Sequence, residues 1–370
     1  RGAAFFRLSS REAVFSFRKV DWMRTGILQR YGDFLPVTPK TPNLSLCEGS
    51  TPLVRLLRVG EEAGVEVYAK VEGANPTGSF KDRGMVLAVA KALEDGAKGI
   101  VCASTGNTSA SAAAYAAAAG IRCTVLLPKG KVALGKLSQA LAFGARAVCV
   151  EGNFDIALQF ARKAADELGI TLVNSVNPYR LWGQRSSSWE ICDDLSDAPD
   201  WLMIPVGNAG NISAYCAGFE FYKETGRSTR LPRLIGVQAE GAAPMVRGVP
   251  VIQPETLATA IRIGNPVSAD KAKRAVELTN GMFLSVSDRE ILDAQRLLAS
   301  TEGIFAEPAS CATLAAFLRL ARNRKIQRGT KGVLVLTGNG LKDPEAPMHY
   351  LPEPVSVAGS WEAILEVLSR

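Results

Sequence analysis

Histidine is nearly missing from this chain of 370 residues: the single one, His349, lies in a Pro-rich stretch near the C-terminus. That argues against a His-rich metal centre and against an ordinary Ser/His/Asp triad, and no metal is expected. Cysteine pairing is missing too. The seven cysteines, Cys47, Cys102, Cys123, Cys149, Cys192, Cys216 and Cys311, are odd in number and include no CxxC pair. Most fall in apolar runs such as GIVCAS and RAVCV, where cysteine serves as a small buried hydrophobe, so a reducing, cytoplasmic setting is expected. No stretch of about eighteen apolar residues is free of charge, so no membrane span is expected. Runs of five or more like charges are absent. The net charge of +7, from 43 basic and 36 acidic residues, therefore favours a small acidic substrate over nucleic acid. Neither the dinucleotide GxGxxG nor the phosphate-loop GxxxxGK[ST] occurs, which leaves nicotinamide and ATP unsupported. The first residue is Arg, and residues 1–19 carry five basic groups against one acid, Glu12. A transit-peptide remnant, and with it an organelle, is the alternative location.

What is present reads as an α/β protein. With 47% hydrophobic and 21% charged residues the composition excludes disorder, collagen and coiled coil, and the length at roughly 150 residues per domain suggests two to three domains, of which two is the expectation. From about residue 65 short β-branched runs alternate with helical patterns. VEVYAKV, GIVCAS, RCTVLLP, RAVCVEG and ITLVNS read as strands, with helices starting at Lys81, Thr108, Lys136 and Asn153. The rhythm resumes with WLMIPVG, LPRLIGVQAEG and GVLVLTGNG around helices over 212–225, 288–300 and 310–324. Such βαβ alternation predicts two doubly wound, mostly parallel α/β lobes, whose ligands sit in loops at the carboxyl ends of the strands.

The loop EGANPTGSFKDRGM, residues 72–85, carries a capping-box pattern in which Ser79 and Asp82 start a helix and place Lys81 in its first turn. The positive end of the helix dipole disfavours an ammonium there, and a neutral lysine amine is what attack on an aldehyde requires. ASTGNTSAS, residues 103–111, brings Ser104, Thr105 and Thr108 with the amide of Asn107 to another helix start, which suits a carboxylate or phosphate. PVGNAGN, residues 205–211, is a third such start, where Gly207, Ala209 and Gly210 let backbone N–H groups approach an anion closely.

In combination, NPTGSFKDRG, STGNTSAS, PVGNAGN and LTGNGLKDP resemble pyridoxal-phosphate enzymes of the tryptophan-synthase-β fold, and specifically bacterial-type threonine synthases, from about residue 22 to about residue 345. The resemblance implies pyridoxal 5'-phosphate as cofactor, bound between the two lobes. It also implies a discontinuous large domain of residues 1–85 plus 179–370, a small domain of residues 86–178, and a homodimer. It makes Lys81 the lysine that binds the cofactor aldehyde and moves protons on the substrate. Asn107 then bonds the phenolic oxygen, Gly207, Asn208, Ala209, Gly210 and Asn211 hold the cofactor phosphate, and the Thr337 hydroxyl faces the pyridine nitrogen. Ser104, Thr105 and Thr108 receive the substrate carboxylate. Asn174, Ser175 and Arg180 receive the substrate's own phosphate.

The activity implied is a carbon–oxygen lyase reaction on a phosphate ester, turning O-phospho-L-homoserine and water into L-threonine and phosphate. Departures from the family pattern fall at Trp182 to Ser186, where Glu-Gly-Gln-Lys-Thr is common, and at Cys47 and Ser50, where glycine and asparagine are common. Cys47 reads as a partly buried bystander. Two alternatives stand beside the leading reading: another pyridoxal-phosphate lyase or replacement enzyme of dehydratase type, and a non-catalytic amino-acid or anion sensor on the same fold.

Overall fold

The computed structural model describes residues 25–129, 134–152 and 154–369. The basic stretch of residues 1–19, the organelle alternative drawn from it and the helix start expected at Asn153 lie outside those residues.

Among the described residues ten strands form two sheets: β1 (Leu53–Arg55), β2 (Glu66–Val71), β3 (Gly99–Ala103), β4 (Arg122–Pro128), β5 (Arg146–Val150), β6 (Thr171–Leu172), β7 (Trp201–Pro205), β8 (Arg233–Ala239), β9 (Met282–Val286) and β10 (Lys331–Leu336). The larger sheet has the order β1-β2-β10-β7-β8-β9 and the smaller β5-β4-β3-β6. Every pairing is parallel except that of β1 with β2. The expected α/β architecture with parallel sheets is what the chain adopts. The central strands β3 and β7 are buried at every position, which is why they read as unbroken apolar runs.

All eight expected strands are present, though ITLVNS contributes only the two residues of β6. Two further strands escaped the reading. β1 is a three-residue edge, and β9, MFLSV, is only half-buried along most of its length. Cys149 is exposed, against expectation, because β5 is an edge of the smaller sheet. Cys47 is likewise exposed and not partly buried; Cys102, Cys123, Cys192, Cys216 and Cys311 are buried. No helix among the described residues is long and apolar enough to cross a membrane.

Topology alone brings the loops of interest together. β10 returns between β2 and β7, with Leu336 level with Val71. The turns leaving β2, β7 and β10 therefore open side by side, and those leaving β3 and β6 open side by side in the other sheet.

Candidate active site

Lys81 is the first residue of the helix Lys81–Glu94, reached from β2 through a turn in which Gly78 takes φ +83°. The Phe80 N–H donates to the Thr337 carbonyl at 3.0 Å, which ties this turn to the end of β10. The capping box does not form. Phe80 occupies the cap position, Ser79 accepts only a long 3.4 Å bond from the Lys81 N–H, and Asp82 turns elsewhere. Asp82 accepts instead from the Thr77 N–H at 2.7 Å, the Thr77 hydroxyl at 2.6 Å and the Ser111 hydroxyl at 2.6 Å. Three donors outcompete one backbone N–H for a buried carboxylate. Burial of the Lys81 amine, joined by the nearby charge of Arg180 and opposed by Glu307, brings its pKa down to about 7.

Arg180 comes close enough for its charge to act on Lys81 where two glycines face each other. A Cβ on Gly84 would come within 2.5 Å of the Arg180 carbonyl oxygen, and one on Gly183 within 2.0 Å of the Arg83 carbonyl oxygen. The helices Lys81–Glu94 and Pro178–Gln184 thus cross backbone against backbone. Arg180 is 1% exposed, donates from Nη1 to the Val173 carbonyl at 3.2 Å, and leaves its buried Nε without a partner. Burial lowers its pKa to about 10. Asn174 is engaged structurally: its Oδ1 accepts from the Ala103 N–H at 2.9 Å and its Nδ2 donates to the Ala103 carbonyl at 2.8 Å. One amide hydrogen remains, beside the half-buried Ser175.

The third loop runs into the helix Gly210–Glu224, whose cap residue Ala209 is left-handed at φ 63° and offers no side-chain bond to the helix start. Both polar atoms of the Asn211 amide are buried and unpartnered. The helix Asn107–Ala118 also starts without a side-chain cap, with Ser104, Thr105 and Thr108 half-buried around it. Pyridoxal phosphate brings groups that match these residues: a phosphate for Asn211 and the uncapped helix start, and an aldehyde for an amine held near neutrality. The donor set fits the cofactor that the resemblance implies.

Sequence reasoning missed three features. Glu307 is 4% exposed, accepts from Asn107 Nδ2 at 3.1 Å and from the Thr337 hydroxyl at 3.1 Å, and so joins the two expected ring contacts. Its signal was an acid inside the apolar stretch GIFAEPASCATLAAF. Lys342 donates to the Thr77 carbonyl at 3.0 Å and to the Gln139 side chain, linking the turn before Lys81 to the helix Leu134–Ala142. Arg83, Glu72, Glu190 and Lys70 form a buried ion network behind the Lys81 helix. Of the family departures, Trp182 and Arg185 pair with each other: the guanidinium lies 3.6 Å from the ring centroid. A cation–π contact between the helix residue Trp182 and the cap residue Arg185 thus stands where the common pattern has an acid and a base.

Comparison with known proteins gives the family and the fold. The family model described as pyridoxal-phosphate dependent enzyme matches residues 44–338. A threonine synthase of Bacillus sp. strain ULM1 is 58% identical over 324 residues, covering 87% of this chain and 92% of its own length. That of Halalkalibacterium halodurans is 57% identical over 342 residues, covering 92% and 96%. Among solved structures, O-ureido-L-serine synthase superposes with a TM-score of 0.72 at 24% identity, over 86% of this chain and 97% of that one, which speaks to the fold. The chain belongs to the pyridoxal-phosphate dependent enzymes and, within them, to the threonine synthase family.

Proposed function

We propose that this site converts O-phospho-L-homoserine and water to L-threonine and inorganic phosphate, with Lys81 as the base and Arg180 as the cation that holds the leaving phosphate. The observation that carries this is Arg180 itself. A second anion-seeking group, buried with an unpartnered Nε, stands near Lys81 and on a different element from the uncapped helix start at Ala209–Gly210. The cofactor phosphate accounts for the helix start, and a substrate bringing its own phosphate accounts for Arg180. A dehydratase, which expels hydroxide, leaves Arg180 unexplained.

The roles divide by element. Gly207, Asn208, Ala209, Gly210 and Asn211 hold the cofactor phosphate at the helix start. Asn107 and Thr337 flank the ring at its phenolic oxygen and its nitrogen. Ser104, Thr105 and Thr108 take the substrate carboxylate. Arg180, the free amide hydrogen of Asn174 and the Ser175 hydroxyl take the substrate phosphate and meet the charge that grows on it as it departs. The neutral Lys81 amine removes the α proton, and later carries a proton to and from the neighbouring carbon. Bound pyridoxal phosphate supplies a ring that takes up the electrons left when a proton leaves carbon. The same reading assigns residues 1–85 with 179–370 to one domain and 86–178 to the other, and a homodimer as the assembly.

The test is incubation of the holoenzyme with O-phospho-L-homoserine while phosphate and threonine are both measured. Equal amounts of the two are expected. Phosphate without threonine points to a lyase of another kind, and neither product overturns the proposal.

A further inference from the structure

Glu307 binds neither substrate nor phosphate in the division of roles above, yet it is buried between the two residues that flank the ring. Desolvating a carboxylate is costly, so its placement needs a cause. Helix capping is not that cause. Glu307 stands at the cap of the helix Pro308–Arg322, but its side chain makes no bond to that helix. It is held across the cleft instead. Its N–H donates to the Gly338 carbonyl at 3.0 Å, and a Cβ on Gly338 would come within 2.5 Å of Oε1, so a side chain there would have to displace the carboxylate. Oε2 accepts from Asn107, which follows β3 of the smaller sheet. Oε1 accepts from Thr337, which follows β10 of the larger sheet. The Ser310 hydroxyl lies 3.0 Å from that of Thr337 and accepts from the Gly338 N–H at 3.0 Å, which fixes Thr337 from its other side.

We propose that Glu307 is a positioning residue that shares one proton with the cofactor's ring nitrogen through the Thr337 hydroxyl, while keeping the second N–H of Asn107 turned to the phenolic oxygen. The proposal rests on the placement of Lys81, Asn107 and Thr337 around the cofactor given above.

The hydrogen count defines two arrangements. With Glu307 ionised, Thr337 gives its hydrogen to Oε1 and turns a lone pair to the ring nitrogen, which matches a nitrogen that carries a proton. With Glu307 protonated, the carboxyl O–H donates to Thr337, whose own hydrogen turns to a bare nitrogen. Passage from the second to the first breaks the O–H bond of Glu307 and forms one on Thr337. It also breaks the former Thr337 O–H bond and forms an N–H bond. One proton moves in net, and no outside acid is required. Burial raises the Glu307 pKa and favours the protonated form, while the hydrogen bonds from Asn107 and Thr337 and the charges of Lys342 and Lys81 favour the ionised one; Cys311 is the titratable group on the same helix that feels the carboxylate's charge. When Lys81 takes a proton from carbon it becomes a cation beside Glu307, and the shared proton is driven toward the ring as electrons arrive there.

The experiment is nitrogen NMR of holoenzyme reconstituted with cofactor labelled at the ring nitrogen, recorded before and after addition of L-2-aminobutyrate, which offers an α proton but no leaving group. In the wild type the resonance is expected to move toward the protonated position. Glu307→Gln can hold Thr337 in the same orientation but has no proton to release. Its resonance should stay at the bare-nitrogen position, with kcat lower by about 100-fold or more and KM within about threefold. Glu307→Asp should recover part of the displacement. If Glu307→Gln does not fold, Thr337→Val breaks the same relay one bond further on and must abolish the displacement. A wild-type response in any variant that folds, Glu307→Gln or Thr337→Val, overturns the proposal. Borohydride reduction of the wild type and peptide mapping separate the two levels of the argument. A label on Lys81 with unchanged resonances sinks the relay alone, and a label on another lysine sinks the placement of the cofactor and the relay with it.

Discussion

Two arginines stand at the same helix crossing, both at most 1% exposed, and they are partnered in opposite ways. Arg83 has every guanidinium nitrogen engaged: Nε with Glu72 at 2.7 Å, Nη1 with Glu190 at 2.8 Å and Ser186 at 3.1 Å, and Nη2 with Glu190 at 2.7 Å, Glu72 at 2.8 Å and Thr51 at 3.0 Å. Arg180 has one carbonyl and an unpartnered Nε. Their acidities follow. Burial disfavours both cations, but Glu190 and Glu72 reverse that for Arg83 and raise its pKa well above the ordinary value, whereas burial prevails at Arg180. A saturated buried cation belongs to the framework. One with a donor to spare can take an anion that comes and goes.

The sharpest way to break this contrast is to remove each charge while keeping its bulk. Arg83→Met strands Glu72 and Glu190 with Lys70 as their remaining cation, and should cost about 3–5 kcal/mol, read as a large fall in the urea midpoint or as loss of folded protein. Arg180→Met removes an uncompensated cation and should leave the midpoint unchanged or raise it. Equal destabilisation by the two would collapse the distinction. Activity should separate them in the other sense. A charge-assisted bond to phosphate contributes about 1.5–3 kcal/mol, so Arg180→Ala should lower kcat/KM on O-phospho-L-homoserine roughly 10- to 100-fold while barely changing any slow deamination of serine. Arg180→Lys should recover part of the loss, since lysine lacks the planar fork. Equal losses on both substrates would mark Arg180 as structural.

The contrast was only half legible in the sequence. Arg180 could be found because the family resemblance carries its segment, NSVNPYR, onto the site for the substrate's phosphate. Arg83 could not: KDRG reads as an exposed first turn, and its partners Glu72 and Glu190 lie 11 and 107 residues away. Lone charges in sequence default to the surface, and only tertiary pairing overrides that default. Glu307 was hidden for the same reason, since an acid before proline at a helix start reads as a cap. The parallel strands were legible because burial on both faces writes itself as an apolar run, and the half-buried β9 was not.

Lys81 offers a subtler separation, because Arg180 is among the causes of its lowered pKa. In the cofactor-free protein the amine should be half neutral near pH 7, so capture of an aldehyde should rise about tenfold per pH unit below that and level off above it. For stability the sign is the reverse of the usual paired lysine: the unfolded chain binds more protons between pH 7 and 10.5, so this group's contribution improves as pH rises through that window. Arg180→Met removes a like charge, favours the ammonium, and should move the midpoint of capture to higher pH. A midpoint that Arg180→Met leaves in place would mean that burial alone holds Lys81 near neutrality.

The smallest expected effect lies in the turn that feeds the Arg83 network. Ser50 and Thr51 donate their N–H groups to Glu190 at 2.7 and 3.3 Å, and Gly49 donates to Asn75 at 3.0 Å. To aim those donors the chain takes positive φ at Cys47 (63°), Gly49 (85°) and Ser50 (47°). This accounts for glycine and asparagine being the common residues at the positions of Cys47 and Ser50, since both tolerate the left-handed region better than cysteine or serine. Cys47 is exposed, so its side chain contributes no core packing that a replacement would lose. Cys47→Gly should therefore stabilise the protein by about 1 kcal/mol, partly offset by the greater freedom of glycine in the unfolded chain, and Ser50→Asn by less. Neither should alter kinetics on O-phospho-L-homoserine, because the strain serves Glu190 and Arg83 and not Arg180. A thermal midpoint unmoved by Cys47→Gly would show that the turn stores no strain, and that the unfavourable side of the network lies wholly in desolvating its charges.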